Sequence, residues 1–433
     1  MSLVHHWKFD EGSGSVAADS AGSADFTPVA GDSIAWSSAR ILGTNNMGFI
    51  TIGIHDYDST HVLQASTDTI SAPWSFTFLF RHQRDNTGAV FRSLSGSFRI
   101  RNTDSDLDYS TSSDTIAIST TEYKRGKWHH IALVITSGGD TLVYLDGSLL
   151  RTLSGVTSDL DGTLQQGAYQ SSGGFPSCTE VSDTRIYDHA LSPAEVSSIF
   201  SSYGSRPATF AVSSDTDDFG LFLRHDDADS VGQSHVWNIV DNYIEQRFGG
   251  DYCQGGLWTA LPNDLSQYWF RCTLWIPSSF DANHDFNTYF KIFRLCANYE
   301  VTPGTTICQV YFNHELPSQD VYSYRLFYND LADYVDMTQV DVTKEVDHIM
   351  ELFVDVTNGI IRFYWNSTLF AEVTGLSLGP FSELGMYYGL HGGCHPEGSY
   401  PDNSYRLKNL YAGETQYPPS IASLRSEHFF NYW

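Results

Sequence analysis

The chain has 433 residues, 41% of them hydrophobic and 14% aromatic, and a formal net charge of −27. That composition excludes a disordered chain, and the length suffices for two or three separate cores. The charge disfavours nucleic acid and anionic membrane surfaces as partners, and no run of about 18 apolar residues exists to cross a membrane. Its make-up is 37 Asp and 14 Glu against 6 Lys and 18 Arg. Short carboxylates with scarce Lys mark a surface solvated in salt, as in a marine or saline source, or one that binds divalent cations.

The opening segment MSLVHHWKFD reads as a strand with Leu3, Trp7 and Phe9 on one side. It carries neither the basic region nor the apolar stretch of a secretory signal, so we expect a protein that is not exported by that route or has lost its leader. Short alternating segments follow at Trp74–Arg81, Ala89–Arg92 and Ser97–Arg101, broken by Gly, Ser, Asn and Asp, as a β-sandwich requires. One helix is predicted, over Pro193–Phe200. Ser192 is its N-cap, Pro193 suits the first helical position and Glu195 completes a capping box. Val196, Ile199 and Phe200 form its buried stripe.

Residues 204–209, with Arg206-Pro207, read as a linker between a first unit over 1–203 and a second over 210–417. The second unit is strongly aromatic, with strands expected at Gln267–Ile276, Tyr289–Leu295, Cys308–Asn313 and Tyr322–Tyr328. Arg406–Tyr411 corresponds to Thr184–Tyr187 as a closing strand. One hairpin occurs in both units, about 220 residues apart. Tyr144, Asp146, Leu149 and Gly155 fall on Tyr364, Asn366, Leu369 and Gly375. Asp146-Gly147 and Asn358-Gly359 are expected to close two-residue hairpin turns, because both dipeptides tolerate positive φ. Six Cys without a CxxC pair argue against zinc. Cys296 and Cys308 flank the turn signal Pro303-Gly304 and are expected to face each other, the rest being mostly buried thiols. The tail over 418–433 ends in Phe429, Phe430, Tyr432 and Trp433. Such aromatics avoid exposure either by folding back on their own domain or by docking on a neighbouring subunit.

The segments LVHHWKFDEGSGSVAADSAGS, GKWHHIALVITSGGDTLVYLDGSLL and VSDTRIYDHALSPAEVSSIF occur in the order of a laminin-G-like jelly-roll module. Residues 1–203 resemble that module, which belongs to the concanavalin A-like lectin/glucanase superfamily. The second unit resembles, more loosely, the jelly-roll polysaccharide lyases and glycan-binding sandwiches. The fold expected is all-β: two tandem concanavalin A-like antiparallel β-sandwiches, with one short helix closing the first.

The resemblance implies a structural Ca²⁺ in the first domain, shared by Asp19 in the early loop and Asp183 in the last strand. Hard cations take carboxylate and carbonyl oxygens from loops on a rigid scaffold. The superfamily's glucanases carry paired carboxylates on one strand, and Glu345-Val-Asp347-His348-Ile349-Met350-Glu351 looks similar. A strand advances about 3.3 Å per residue, which sets Glu345 and Glu351 roughly 20 Å apart. Glycosidases need about 5–9.5 Å, so this run is not read as a glucanase site. A lyase acting on an acidic polysaccharide needs a cation to neutralise a uronate and a Tyr or His to move its proton. Arg271, Lys291, Tyr388, His391 and His395 supply those groups. No HExxH motif is present.

The reading preferred is a non-enzymatic protein that binds a glycan or builds a surface assembly. Trp258, Tyr268 and Tyr388 are its expected sugar platforms, with Arg271 and His391 as polar partners. A virion appendage or an extracellular lectin-like protein fits this reading. Its partners would be a cell-surface polysaccharide and either copies of itself or other virion proteins, met through Phe429, Phe430, Tyr432 and Trp433.

Overall fold

The structure is a computed structural model. It describes residues 2–29, 34, 36, 50–52, 62–82, 88–93, 98–102, 106–111, 115–119, 123, 126–155, 159–160, 162–167, 179–203, 211–214, 223–226, 237–240, 243–248, 254–261, 265–278, 289–296, 306–314, 321–328, 333–341, 343–378, 381, 383–389, 403–414 and 416. Among these residues the chain is all-β apart from one helix, and the strands form four antiparallel sheets.

Two sheets come from residues 3–187. In the first, Leu3–Trp7, Thr179–Tyr187, Trp74–His82, Trp128–Ile135, Thr141–Leu145 and Ser148–Leu153 lie side by side in that order, with Ile50–Ile52 also on Thr179–Tyr187. The second runs Thr27–Pro28, Leu63–Ala65, Leu164–Gln166, Gly88–Ser93, Phe98–Asn102, Asp106–Thr111 and Thr115–Ser119. The period-2 alternation of WSFTFLFRH explains how they meet. Phe76, Phe78 and Phe80 point one way, and Phe91 of the facing sheet lies 5.0 Å from Phe76 and 5.1 Å from Phe78, edge to face. Burying each Phe contributes about 2 kcal/mol. A one-residue slip of this strand would remove three of them from the core and bring Arg81 into it.

The other face of the same strand is also covered. After Tyr187 the chain turns back, and the helix Pro193–Ser202 starts at Ser192. Ser192 Oγ accepts from the Glu195 N–H, and the Glu195 carboxylate accepts from the Ser192 N–H at 2.7 Å, which is the capping box expected. Leu191 and Val196 pack with Ala132, Val134 and Tyr144 as a second small core, joined by Leu142, Tyr187 and Ile199. Ser75 fastens the crossover: its hydroxyl donates to the His189 carbonyl and accepts from the Leu191 N–H. Arg81 is held by a buried ion pair to Glu180 at 3.0 Å, and its Nε donates to the Gly126 carbonyl.

The other two sheets lie within residues 211–413. One runs Trp237–Val240, Tyr243–Phe248, Asn403–Gly413, Gln267–Trp275, His348–Asp355, Ile360–Trp365 and Thr368–Val373, with Ala211–Ser214 also on Asn403–Gly413. The other runs Leu223–Asp226, Gln254–Ala260, Glu383–Gly389, Tyr289–Cys296, Thr306–His314, Val321–Tyr328 and Asp333–Asp341. Tyr268, Phe270, Cys272, Met350, Leu352, Val354, Ile361 and Phe363 are fully buried on the inner face of the first of these. The repeated hairpin is present in both halves: Tyr144 pairs Leu149 and Tyr364 pairs Leu369, each beside a register shift.

Two expectations need correction. The turn of the second copy that matches Asp146-Gly147 is Asn366-Ser367, both at positive φ. Asn358-Gly359 instead ends a longer loop in which Asp355 Oδ1 accepts from the Asn358 N–H. Gly359, at φ 64°, is packed so tightly that a Cβ would meet the Leu376 carbonyl oxygen at 2.1 Å. Cys308 is opposite Leu295, not Cys296, because the pairing shifts between Leu295 and Cys296. The 204–209 linker and the tail residues Phe429, Phe430, Tyr432 and Trp433 lie outside the described residues.

Candidate functional site

The outward face of the Gln267–Trp275 sheet gathers aromatic and charged groups at one end. Alternation sets Trp275 beside Arg406 of the neighbouring strand, and Arg406 stacks over the indole at 4.7 Å from its centroid. Lys408 is opposite Thr273 on the same face, and its Nζ lies 4.2 Å from the Tyr243 ring centroid. Tyr243 is 6.0 Å from Trp275. Asp347 completes the group: it accepts from the Tyr243 hydroxyl at 2.7 Å and pairs with Lys408 at 2.5 Å. Tyr243, Trp275, Arg406 and Lys408 are half-buried, and Asp347 is exposed.

The electrostatics of this patch are self-consistent. Burial opposes the Lys408 charge, but the Asp347 carboxylate and the Tyr243 hydroxyl outweigh it and raise the ammonium pKa. Burial and the bond to Asp347 push the Tyr243 phenol up, against the pull of Lys408. At neutral pH the patch therefore presents two cations, one carboxylate and one protonated phenol around two rings. It can stack a flat apolar surface and hydrogen-bond its rim.

Among the described residues, the predicted site residues are divided between two sheets. Tyr268 is fully buried, stacked on Phe270 at 6.0 Å and edge-on to Phe381 at 5.5 Å, so it is a core residue and not a sugar platform. Arg271 is on the opposite face of that strand and pairs with Glu351 at 3.7 Å. Lys291 and Tyr388 belong to the other sheet, on Tyr289–Cys296 and Glu383–Gly389. The lyase constellation is thus split between two sheets. Trp258 is on Gln254–Ala260, opposite Gly385, and Tyr388 is opposite Gly255. His391 and His395 lie outside the described residues.

The glucanase-like run resolves into ordinary partners, Asp347 with Lys408 and Glu351 with Arg271. Sequence reasoning missed Trp275, Tyr243 and Lys408. A signal was present in QYWFRCTLW, where Tyr268 shares its parity with Phe270, Cys272 and Leu274, and Trp275 shares its parity with Arg271.

Asp19 and Asp183 hold the N-terminal strand from two sides. Asp19 Oδ1 accepts from the N–H groups of His6, Ala21 and Gly22, and Oδ2 accepts from Ala24 N–H and contacts His5 Nδ1 at 2.6 Å. A Cβ at Gly22 would meet Asp19 Oδ2 at 2.6 Å, so the loop closes on the carboxylate itself. Asp183 meets His6 Nε2 at 2.5 Å, Arg185 Nη2 at 2.7 Å and the Tyr203 hydroxyl at 2.6 Å. Burial opposes ionisation of both, yet these donors outweigh it and lower both pKa values.

A shared Ca²⁺ does not fit this arrangement. Calcium takes six to eight oxygens; here N–H donors converge on one carboxylate and a guanidinium flanks the other. Among the described residues no group of three or more His, Cys, Asp or Glu side chains is placed to hold a metal. No helix of the described residues is long and apolar enough to cross a membrane.

No curated protein matches the chain. Among solved structures it is similar to a SAP-like pentraxin from Limulus polyphemus, at 23% identity over 36% of this chain and 83% of that one, TM-score 0.31. It is similar to domain 4 of an extracellular arabinanase from Geobacillus stearothermophilus in complex with arabinotriose, at 18% identity over 46% of this chain and 98% of that one, TM-score 0.32. The binding domain of botulinum neurotoxin serotype D matches at 9% identity over 90% of this chain and 96% of that one, TM-score 0.37. At these identities and scores none of the three carries an argument about sites. Residues 57–197 match the model of the family described as the concanavalin A-like lectin/glucanases superfamily, and the first sandwich carries a module of that kind.

Proposed function

We propose that the protein is a non-enzymatic binder of neutral glycans, acting through the outer face of its second sandwich. The observation that carries this reading is the Tyr243–Trp275–Arg406–Lys408–Asp347 patch, with its rings and charges fixed on neighbouring strands. A sugar offers an apolar ring face and a rim of hydroxyls, and this patch supplies the complement of each. A neutral glycan suits the chain better than a polyanion, since the net charge of −27 repels the latter at a distance. Glycan-array binding of the full chain and of Trp275→Ala tests the proposal. Binding that falls at least tenfold in the variant is the result expected; equal binding by both proteins, or none by either, overturns it.

The setting we propose is a virion surface or the extracellular medium, with the chain as a fibre, decoration or receptor-binding component facing a cell-surface polysaccharide. The Asp-rich, Lys-poor composition supports a salt-exposed surface of that kind. Peptide mass spectrometry of purified particles tests the virion part, and absence of the chain from them sinks it.

A further inference from the structure

The outward face of the second sheet of the first sandwich carries a row of polar side chains across five strands. Leu63, Leu164, Phe91, Phe98 and Tyr109 point into the core, so alternation turns Gln64, Gln165, Arg92, Arg99 and Ser110 the other way. Those five are successive cross-strand partners: Gln64 is opposite Gln165, Gln165 opposite Arg92, Arg92 opposite Arg99 and Arg99 opposite Ser110. Hydrogen bonds orient the row. Gln165 Nε2 donates to Gln64 Oε1 at 3.0 Å, Arg92 Nε donates to Gln165 Oε1 at 2.9 Å, and Arg99 Nη2 reaches Ser110 Oγ at 3.5 Å.

The neighbouring row on the same face shows what is different about this one. There Arg101 is opposite Asp108, and the carboxylate accepts from its Nε at 2.9 Å and lies 2.7 Å from its Nη2. In the Arg99 row the place of Asp108 is taken by Ser110. Among the described residues no carboxylate pairs with Arg92, and half-burial lowers its guanidinium pKa with no negative charge to oppose it. Gln165 occupies only its Nε, which leaves Nη1 and Nη2 for a ligand. Two residues directly opposite have Cβ atoms about 5 Å apart, and like charges so placed repel. The pairing of Arg92 with Arg99 therefore costs stability unless a negative group sits over it.

We propose that Arg92 and Arg99 bind a single oxoanion, the carboxylate or sulfate group of an acidic sugar, on this outer face. A guanidinium meets either group with two parallel N–H donors, and the bound group supplies the negative charge that Asp108 supplies to Arg101. The Gln64 amide nitrogen, at the end of the row, serves a hydroxyl beside the acid. One charged group is the limit, since the net charge of −27 repels a polyanion. The site lies on the first sandwich and does not rest on the neutral-glycan reading of the second.

The test is a ligand-observed NMR titration of the full chain with glucuronate, glucose 6-sulfate and glucose. At least one of the two acids is expected to bind and glucose is not, and the acid that binds tells carboxylate from sulfate. Arg92→Gln should weaken that binding about tenfold or more, the loss of one charge-assisted pair. Ser110→Asp gives this row the carboxylate that its neighbour already has. It should abolish binding while the first sandwich melts no lower than in the native chain. Binding of neither acid, binding of glucose as tight as that of the acids, or undiminished acid binding in a folded variant overturns the proposal.

Discussion

Asp183 and Asn409 occupy the same bulge in the closing strands of the two sandwiches, both in the left-handed region, at φ 43° and 54°. In each strand the pairing with its neighbour shifts across this residue. Asp and Asn are the side chains that accept this backbone most readily after Gly. Their uses differ: Asp183 anchors His6, Arg185 and Tyr203, whereas Asn409 donates to Thr273 Oγ1 at 3.3 Å. The same exchange recurs in the hairpin turns. Asp146 accepts from the His130 N–H and Asn366 from the Ile349 N–H.

The second of those turns carries Ser367 at φ 65° where the first has Gly147 at φ 77°. A non-Gly residue in this region costs about 1–2 kcal/mol. Ser367→Gly is therefore expected to stabilise the second sandwich by about 1 kcal/mol in urea unfolding. Gly147→Ser should do the reverse and more, since a Cβ there would meet the Phe200 ring at 3.0 Å. A destabilised Ser367→Gly would show that the hydroxyl, not the backbone, matters.

The buried Arg81–Glu180 pair should respond asymmetrically. Removing one partner leaves a buried charge and costs about 3–5 kcal/mol, so Arg81→Met and Glu180→Gln should each destabilise the first sandwich by that order. The double variant should be less damaged than the sum of the two. Additive losses in thermal unfolding would mean that the two side chains act separately.

Acid should act on the first sandwich through Asp19 and Asp183. Both folded pKa values are lowered, so the stability they contribute is complete above the ordinary carboxylate value of about 3.9 and is lost as pH falls through the lower folded values. Asp183→Asn should cost about 3 kcal/mol near neutral pH and should flatten the fall of the melting temperature as pH drops below about 4. An unchanged acid slope would place the acid sensitivity elsewhere.

Because the protein's own donors hold Asp19 and Asp183, neither EDTA nor added Ca²⁺ should move the melting temperature of the first sandwich. A rise on Ca²⁺ that disappears in Asp183→Asn would overturn that assignment of partners.

Cys272 is fully buried, and burial raises its thiol well above the ordinary range despite the neighbouring Arg271. Peptide mapping after iodoacetamide treatment should find it unmodified in the folded protein and modified in urea. Labelling under native conditions would mean that the Gln267–Trp275 strand opens locally.

Much of the architecture was legible because it rests on local rules. Ser192, Pro193 and Glu195 announce the helix, Asp146-Gly147 announces a hairpin, and the alternation of WSFTFLFRH places Phe76, Phe78 and Phe80 inside. The candidate site was not legible, because it joins Tyr243, Trp275 and Lys408 from three strands, and Asp347 from just before a fourth, whose adjacency is a matter of topology. Tyr268 misled for a related reason: an aromatic in a strand is a platform or a core residue according to parity alone. Asp19 and Asp183 were legible as a pair only as expected ligands of a shared Ca²⁺, but their partners are His5, His6, Arg185, Tyr203 and backbone N–H groups, which no short motif reveals.

Tyr203, sixteen residues past the point where the last strand of the first sandwich stops, still touches that strand through Asp183. The boundary of the unit is therefore set by a hydroxyl and not by the edge of a sheet. Excising the unit at Tyr187 would strip its outer core, take one of three partners from the buried Asp183 carboxylate and bare the underside of the turn at Gly147. A fragment meant to fold alone must run to Tyr203, and an enzyme that nicks between those two positions would undo a sandwich whose strands are all intact.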